Sequence, residues 1–150
     1  MSNYEEVVLR HAEYYMLVLE ECDRLYKRGG DSVLLALGRF DDERENVLLG
    51  QARAERISTD SPVALHLCNR YPDVGALLLP IRLSVQERLR WRLAALEAAR
   101  MLRDRSTEAA HLVCLGNVYD DMRDFDAAIK AYDQALMLKR ELGDDTGEAI

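Results

Sequence analysis

Residues 106–142 read STEAAHLVCLGNVYDDMRDFDAAIKAYDQALMLKREL, and the fold is decided by how this stretch is read. Apolar side chains return at three- and four-residue spacing through Leu112, Leu115 and Tyr119, then again through Phe125, Ala128, Tyr132 and Ala135. That period belongs to helices and not to strands. Asp124 stands where the second helix needs an N-cap, and Asp126 falls in its first turn, where the helix dipole favours a carboxylate. Two helices follow, 107–122 and one beginning after Asp124 and ending at Leu142-Gly143, antiparallel because the turn between them is short. Gly116 and Ala128 are small where the helices must approach closely, while Tyr119, Phe125 and Tyr132 are expected to fill the space left between them.

Working outward, the rest of the chain reads the same way. Its 150 residues are 49% hydrophobic and 31% charged but only 7% aromatic, with 8 Gly and 3 Pro, so disorder and collagen are excluded and helices are favoured over strands. Residues 4–27 form an amphipathic helix stopped by Gly29-Gly30, and Asp31-Ser32 are placed to cap a second that reaches Ile57, with Gly38 and Gly50 weakening its continuity. Ser61 and Pro62 open a short third helix to about Asn69. Pro72 and Pro80 make residues 70–83 irregular, with at most one short helix, because each proline biases its predecessor away from helix. Ser84-Val85-Gln86-Glu87 is a capping box that opens a strong helix to about Arg103.

At an offset of 40, Leu102, Asp104, Glu108 and Ala109 recur as Leu142, Asp144, Glu148 and Ala149, and Ala95-Leu96 recur as Ala135-Leu136. Self-similarity at such a period signals stacked helix pairs, each too thin to bury its apolar face alone. On Leu112, Leu115-Gly116, Tyr119, Phe125, Ala128, Tyr132 and Ala135, residues 106–142 resemble a tetratricopeptide repeat (TPR). The proline usual at the end of the second helix is replaced by Arg140, as in a 40-residue variant of the family. The resemblance implies an all-α, antiparallel helix-pair stack, a TPR-like α-solenoid. Residues 1–83 would be a degenerate N-terminal helical segment, and 84–150 the TPR-like repeats, the last truncated at 145–150. A stack that stops inside a repeat is expected to be a piece of a longer protein. In addition, His11-Ala12-Glu13-Tyr14-Tyr15 and Glu43-Arg44-Glu45-Asn46-Val47 resemble the segment that joins the nucleotide-binding part to the TPR array in bacterial STAND (NB-ARC-like) signalling ATPases and regulators. That resemblance implies the sensor region of such a regulator.

The net charge of −7 is uneven: residues 61–105 carry 8 basic and 4 acidic side chains, whereas 106–150 carry 4 and 10. An acidic chain is poorly suited to sequence-independent nucleic-acid binding, and Arg88, Arg90, Arg92, Arg100, Arg103 and Arg105 read first as a solvated face. The competing reading makes the basic stretch 88–105 a nucleic-acid-contacting or effector-linked regulatory surface. Cys22, Cys68 and Cys114 are odd in number and far apart, which fits a reducing, cytoplasmic setting. No apolar run reaches the length of a membrane span. Phosphate-loop, dinucleotide, zinc-protease and nucleophile-elbow motifs are all missing from the sequence, so neither catalysis nor a cofactor is expected. His111 with Cys114, echoed by His66 and Cys68, reads as buried thiols beside partly exposed imidazoles, not as a metal site. Asp120, Asp121, Asp124 and Asp126 lack the Gly and the twelfth-position Glu of a calcium loop.

The expected function is a non-enzymatic protein–protein interaction scaffold within a larger regulatory protein. By the TPR pattern, the residues of its first helix that face a partner groove are Ala110, Val113, Asn117, Asp120 and Asp121. Asn117 matches a position used by members that clamp a peptide carboxylate, but Val113 replaces their basic partner residue. Asp120 and Asp121 favour a basic protein or peptide. Because the repeat begun at Asp145 is unfinished, the outer face of the last helix is expected to be uncovered and to self-associate through Ile129, Tyr132, Leu136 and Met137. Light scattering should find a dimer of the 150-residue chain at high concentration, and a monomer once two further repeats are appended.

Overall fold

The computed structural model describes residues 2–146. Among them there are α-helices, one 3-10 turn at Ser58–Asp60, and no strand. The protein is all-α.

Helix α1 (Asn3–Arg28) starts on Ser2, whose hydroxyl accepts from the amide of Glu5 at 3.1 Å. It stops where Gly29 and Gly30 take φ of 74° and 58°, a left-handed backbone that side chains resist. Helix α2 (Ser32–Ile57) is continuous through both of its glycines. Asp31 does not cap it, because its own backbone is already helical and its carboxylate makes no cap bond; the amides of Ser32 and Val33 turn back to the carbonyls of Gly29 and Gly30 instead. Gly50 marks a crossing and not a break: a Cβ there would collide with the Tyr71 hydroxyl and lie 3.2 Å from Ala12 Cα.

Helix α3 (Pro62–Val74) is capped by Ser61 as the sequence predicts, but it runs well past Asn69 with Pro72 in its last turn. Tertiary contacts override the local preference. Tyr71 is fully buried, donates its hydroxyl to the carbonyl of Ala12 at 2.5 Å, and sets its ring edge-on to Trp91 with centroids 5.6 Å apart. The short α4 (Leu79–Arg82) is reached through amides of Leu77 and Leu78, which both donate to Asp23 Oδ1 on α1 at 3.0 and 2.9 Å. Residues 70–83 are thus mostly ordered turns and helix, held from outside.

Helix α5 (Val85–Met101) carries the expected capping box: the Ser84 amide donates to Glu87 Oε1 at 3.0 Å and the Glu87 amide to Ser84 Oγ at 3.1 Å. Helices α6 (Arg105–Asp121) and α7 (Phe125–Thr146) follow, capped by Asp104 and Asp124. The two turns before them are alike. Asp104 donates its amide to Ala99 and Arg103 donates to Arg100; twenty residues later Asp124 donates to Tyr119 and Arg123 to Asp120. Each is a Schellman closure in which an arginine holds the left-handed position, with φ of 57° at Arg103 and 60° at Arg123. The offset of 40 is not kept, since Leu142, Gly143 and Asp144 lie inside α7 where Leu102, Arg103 and Asp104 make a turn. The expected stop at Leu142-Gly143 is therefore wrong, and the expected new repeat at 145–150 is continued helix as far as Thr146 and lies outside the described residues beyond it.

Helix α1 packs on α2, α3 on α5, and α6 on α7, while α3 also touches α1 and α2 and α5 also touches α6. The larger apolar cluster extends from Leu9 on α1 to Trp91 and Ala98 on α5, and the smaller one joins Leu96 to α6 and α7. Ala128, Ala131, Ala135 and Leu138 form the buried side of α7. Mostly small residues let α7 lie close on α6, and this placement leaves Phe125 exposed instead of filling the interhelical space as expected. Ile129, Tyr132, Leu136 and Met137 are exposed as well.

A Cβ at Gly116 would run into the Tyr132 ring. Replacing Gly116 with Leu should destabilise the fold by about 1–3 kcal/mol, read from a urea midpoint with unchanged slope. Arg123→Gly should act oppositely, raising stability by about 0.5–1 kcal/mol through relief of the left-handed backbone, and an unchanged or lower midpoint would contradict that account.

Candidate functional site

The five residues expected to face a partner all lie on α6, on one side of the helix by their three- and four-residue spacing. Ala110, Asn117, Asp120 and Asp121 are exposed, whereas Val113 is half-buried and packs against the smaller cluster with Leu112 and Leu115. Two of the five are already engaged. Asn117 Oδ1 accepts from the Tyr132 hydroxyl at 2.6 Å, tying the face to α7, and Asp121 Oδ2 accepts from Arg88 on α5 at 3.1 Å. Asp120 is the carboxylate of this face without an ion pair among the described residues.

Below this face lies a partly open cleft of about 200 Å³ that the sequence did not announce. Its apolar wall is built by Pro72 from the end of α3, Leu79 and Leu83 from around α4, and Trp91 from α5; Asn117 and Val118 of α6 close the other side. Arg88 and Arg92 complete it, one helical turn apart on α5 on either side of Trp91. These two depart from the solvated face expected of the central arginines. Their side chains are only 19% and 11% exposed, each held by a rim carboxylate: Asp121 on Arg88, and Asp73 on Arg92 at 2.6 Å.

Arg92 also reaches His111, and here the sequence reading needs correction. His111 is not partly exposed but fully buried. Arg92 Nη1 lies 2.9 Å from His111 Nδ1, and His111 Nε2 lies 2.7 Å from Asn69 Oδ1. A guanidinium can only donate, so Nδ1 accepts and the ring proton sits on Nε2, donated to Asn69. Burial depresses the His111 pKa below its usual 6.5; nearby Asp73 opposes this and Arg92 reinforces it. The imidazole is a neutral strut between α3, α5 and α6. Cys114, three residues on, is half-buried, and Cys68 is buried, its thiol pushed up to about 12 by burial, so it has little thiolate character at neutral pH. Among the described residues no three His, Cys, Asp or Glu side chains gather as metal ligands would.

Of the other central arginines, three are paired outward: Arg90 with Glu55 on α2 at 2.6 Å, Arg100 with Glu108 at 3.1 Å, and Arg105 with Glu141 on α7. No helix among the described residues is long and apolar enough to cross a membrane. Compared with protein families, with curated proteins and with solved structures, the chain finds no match.

A neutral buried His111 has a pH signature. The unfolded imidazole takes up a proton below about pH 6.5 while the folded one resists it, so stability is full above that value and is lost as pH falls toward the depressed folded pKa. Melting temperature should therefore fall between about pH 7.5 and pH 5.5, and fall less in His111→Gln, whose side chain does not titrate. Equal slopes in the two proteins would remove His111 from the account.

Proposed function

We propose that this protein is a non-catalytic interaction module built from TPR-like helix pairs, presenting α6 to a basic protein or peptide. The observation that carries the reading is the packing order. Three helix pairs follow one another, α1 with α2, α3 with α5 and α6 with α7, each next pair resting on the last. A stack of this kind exposes the first helix of each pair along one surface, and on α6 that surface holds Ala110, Asn117, Asp120 and Asp121. Asp120 supplies its unpaired negative charge, and complementary charge steers and orients partners.

The alternative, nucleic-acid contact through 88–105, is weakened by the same geometry. Arg88, Arg90, Arg92, Arg100 and Arg105 each face a carboxylate, so the stretch presents far less free positive charge than its composition suggests. Arg103 is exposed but stands alone at a turn. The resemblance of the first two helices to the arm of STAND-type regulators supports a place in a larger signalling protein, and three unpaired cysteines support a reducing, cytoplasmic setting.

A lysine- and arginine-rich peptide titrated into the isotope-labelled chain should shift amide resonances of α6, centred on Asn117 and Asp120. Asp120→Lys should weaken that binding by about tenfold through charge reversal. Shifts confined to another surface, or duplex DNA binding that survives about 150 mM salt and is lost in Arg103→Ser, would replace the reading.

A further inference from the structure

The connection between α3 and α5 is longer than a turn requires. Residues 102–104 lead α5 into α6 and 122–124 lead α6 into α7, whereas 75–84 separate α3 from α5 and include α4. The extra length is held in place. Asp23 on α1 accepts from the amides of Leu77 and Leu78, Asp41 on α2 pairs with Arg82 at 2.8 Å, and Arg44 donates to the Arg82 carbonyl at 2.9 Å. Long ordered connections are where binding surfaces concentrate, and this one turns Ala76, Leu79, Pro80 and Leu83 toward the cleft.

Asn117 joins that cleft to the partner face of α6, being exposed on the face and also part of the cleft lining. The chemistry changes with depth. Inside, the walls are apolar, and Arg88 and Arg92 are each committed to a carboxylate, so the interior has no free charge to offer an anion. At the rim the balance is negative: Asp73 and Asp121 are exposed while the guanidiniums they hold lie deeper, and Asp120, one turn beyond Asn117, has no ion pair among the described residues. A cation is thus favoured at the rim and opposed further in, where a hydrocarbon gains by leaving water. A cavity of about 150 Å³ accommodates benzene, and this one measures about 200 Å³, room for one large apolar side chain and not for a helix.

We infer that the cleft is the anchor pocket of the α6 face: it receives one leucine or phenylalanine side chain of a basic peptide, and a lysine or arginine within two positions of that anchor meets Asp120 at the rim. The spacing follows from dimensions. Asn117 and Asp120 are about 4.5 Å apart along the axis of α6, and an extended peptide covers about 3.3 Å per residue. The inference rests on the reading of α6 as the partner face and adds an apolar requirement that charge alone does not make.

Two acetylated and amidated heptapeptides test it on the intact chain, Gly-Lys-Gly-Leu-Lys-Lys-Gly and the same sequence with alanine in place of leucine. Both should shift the amides of Asn117 and Asp120. The leucine peptide alone should also shift the methyl resonances of Leu79 and Val118, which line the cleft, and should bind about tenfold more tightly through burial of its extra hydrocarbon. Ala76→Phe fills the mouth from an exposed position; with folding confirmed by circular dichroism, it should lower the leucine peptide to the affinity of the alanine peptide and leave the latter unchanged. The failures are distinguishable. Amide shifts on α6 without any advantage for leucine overturn the anchor and leave the α6 reading standing, whereas no shift on α6 with either peptide overturns both. The anchor is also overturned by a folded Ala76→Phe variant that keeps the leucine advantage, by cleft methyl shifts that grow with protein concentration alone, as a second copy would produce, or by free 4-methylpentanamide binding as tightly as the leucine peptide.

Discussion

The contact on which the architecture of this molecule turns is that of Tyr71 with Ala12 and Gly50. Only a residue without Cβ leaves room for the phenol where α1, α2 and α3 meet. Once there, the hydroxyl reaches the Ala12 carbonyl and the ring offers Trp91 an edge-on contact. One side chain thus joins four helices. It also accounts for the persistence of α3 into Pro72, because ending the helix at Asn69 would withdraw Tyr71 from the crossing. Local propensity opposes a proline in a helix by about 3 kcal/mol in its interior; at the last turn the cost is smaller, and burial of a large aromatic contributes enough to offset it.

The polar interior follows from that placement. Extending α3 to Val74 brings Asp73 within reach of Arg92, and Asn69 within reach of His111. A run from Asp73 through Arg92 and His111 to Asn69 then crosses three helices with each donor matched to an acceptor. Such a network tolerates few alternatives, because any shift that breaks one contact leaves a buried polar group unmet. Its neutral imidazole links packing to proton concentration. Close by on α5, Trp91 Nε1 and Arg88 Nε are buried without a partner, as is His11 Nδ1 on α1.

Local signals carried much of the fold. Ser84 and Glu87 spell out a cap within four residues, Gly29-Gly30 a stop, and the three-and-four spacing around Gly116 a helix pair with a close contact at Tyr132. What remained hidden depends on partners far along the chain. Asp23 holds the amides of Leu77 and Leu78, and nothing adjacent to either marks the pairing. The α6 face was expected from the resemblance to a TPR, whose pattern lies on one helix, whereas the cleft is assembled from α3, α4, α5 and α6. A tryptophan flanked at three-residue and one-residue distance by Arg88 and Arg92 was the available clue, and surrounded by further arginines it looked like surface. Burial, not composition, separates those two from their neighbours.

Helix α5 has a property that no single contact displays. Glu87 faces Arg44, Arg90 faces Glu55, Arg92 faces Asp73, Arg88 faces Asp121 and Arg100 faces Glu108, so charged spokes leave it toward α2, α3 and α6. Each half-exposed pair adds little to stability. Together they act as a vernier. Sliding α5 by one turn, about 5.4 Å, would misalign the set at once and bring arginines past arginines. Trp91, buried edge-on against Tyr71, already fixes the register of α5 from its apolar side, and the spokes hold the same register from its charged side.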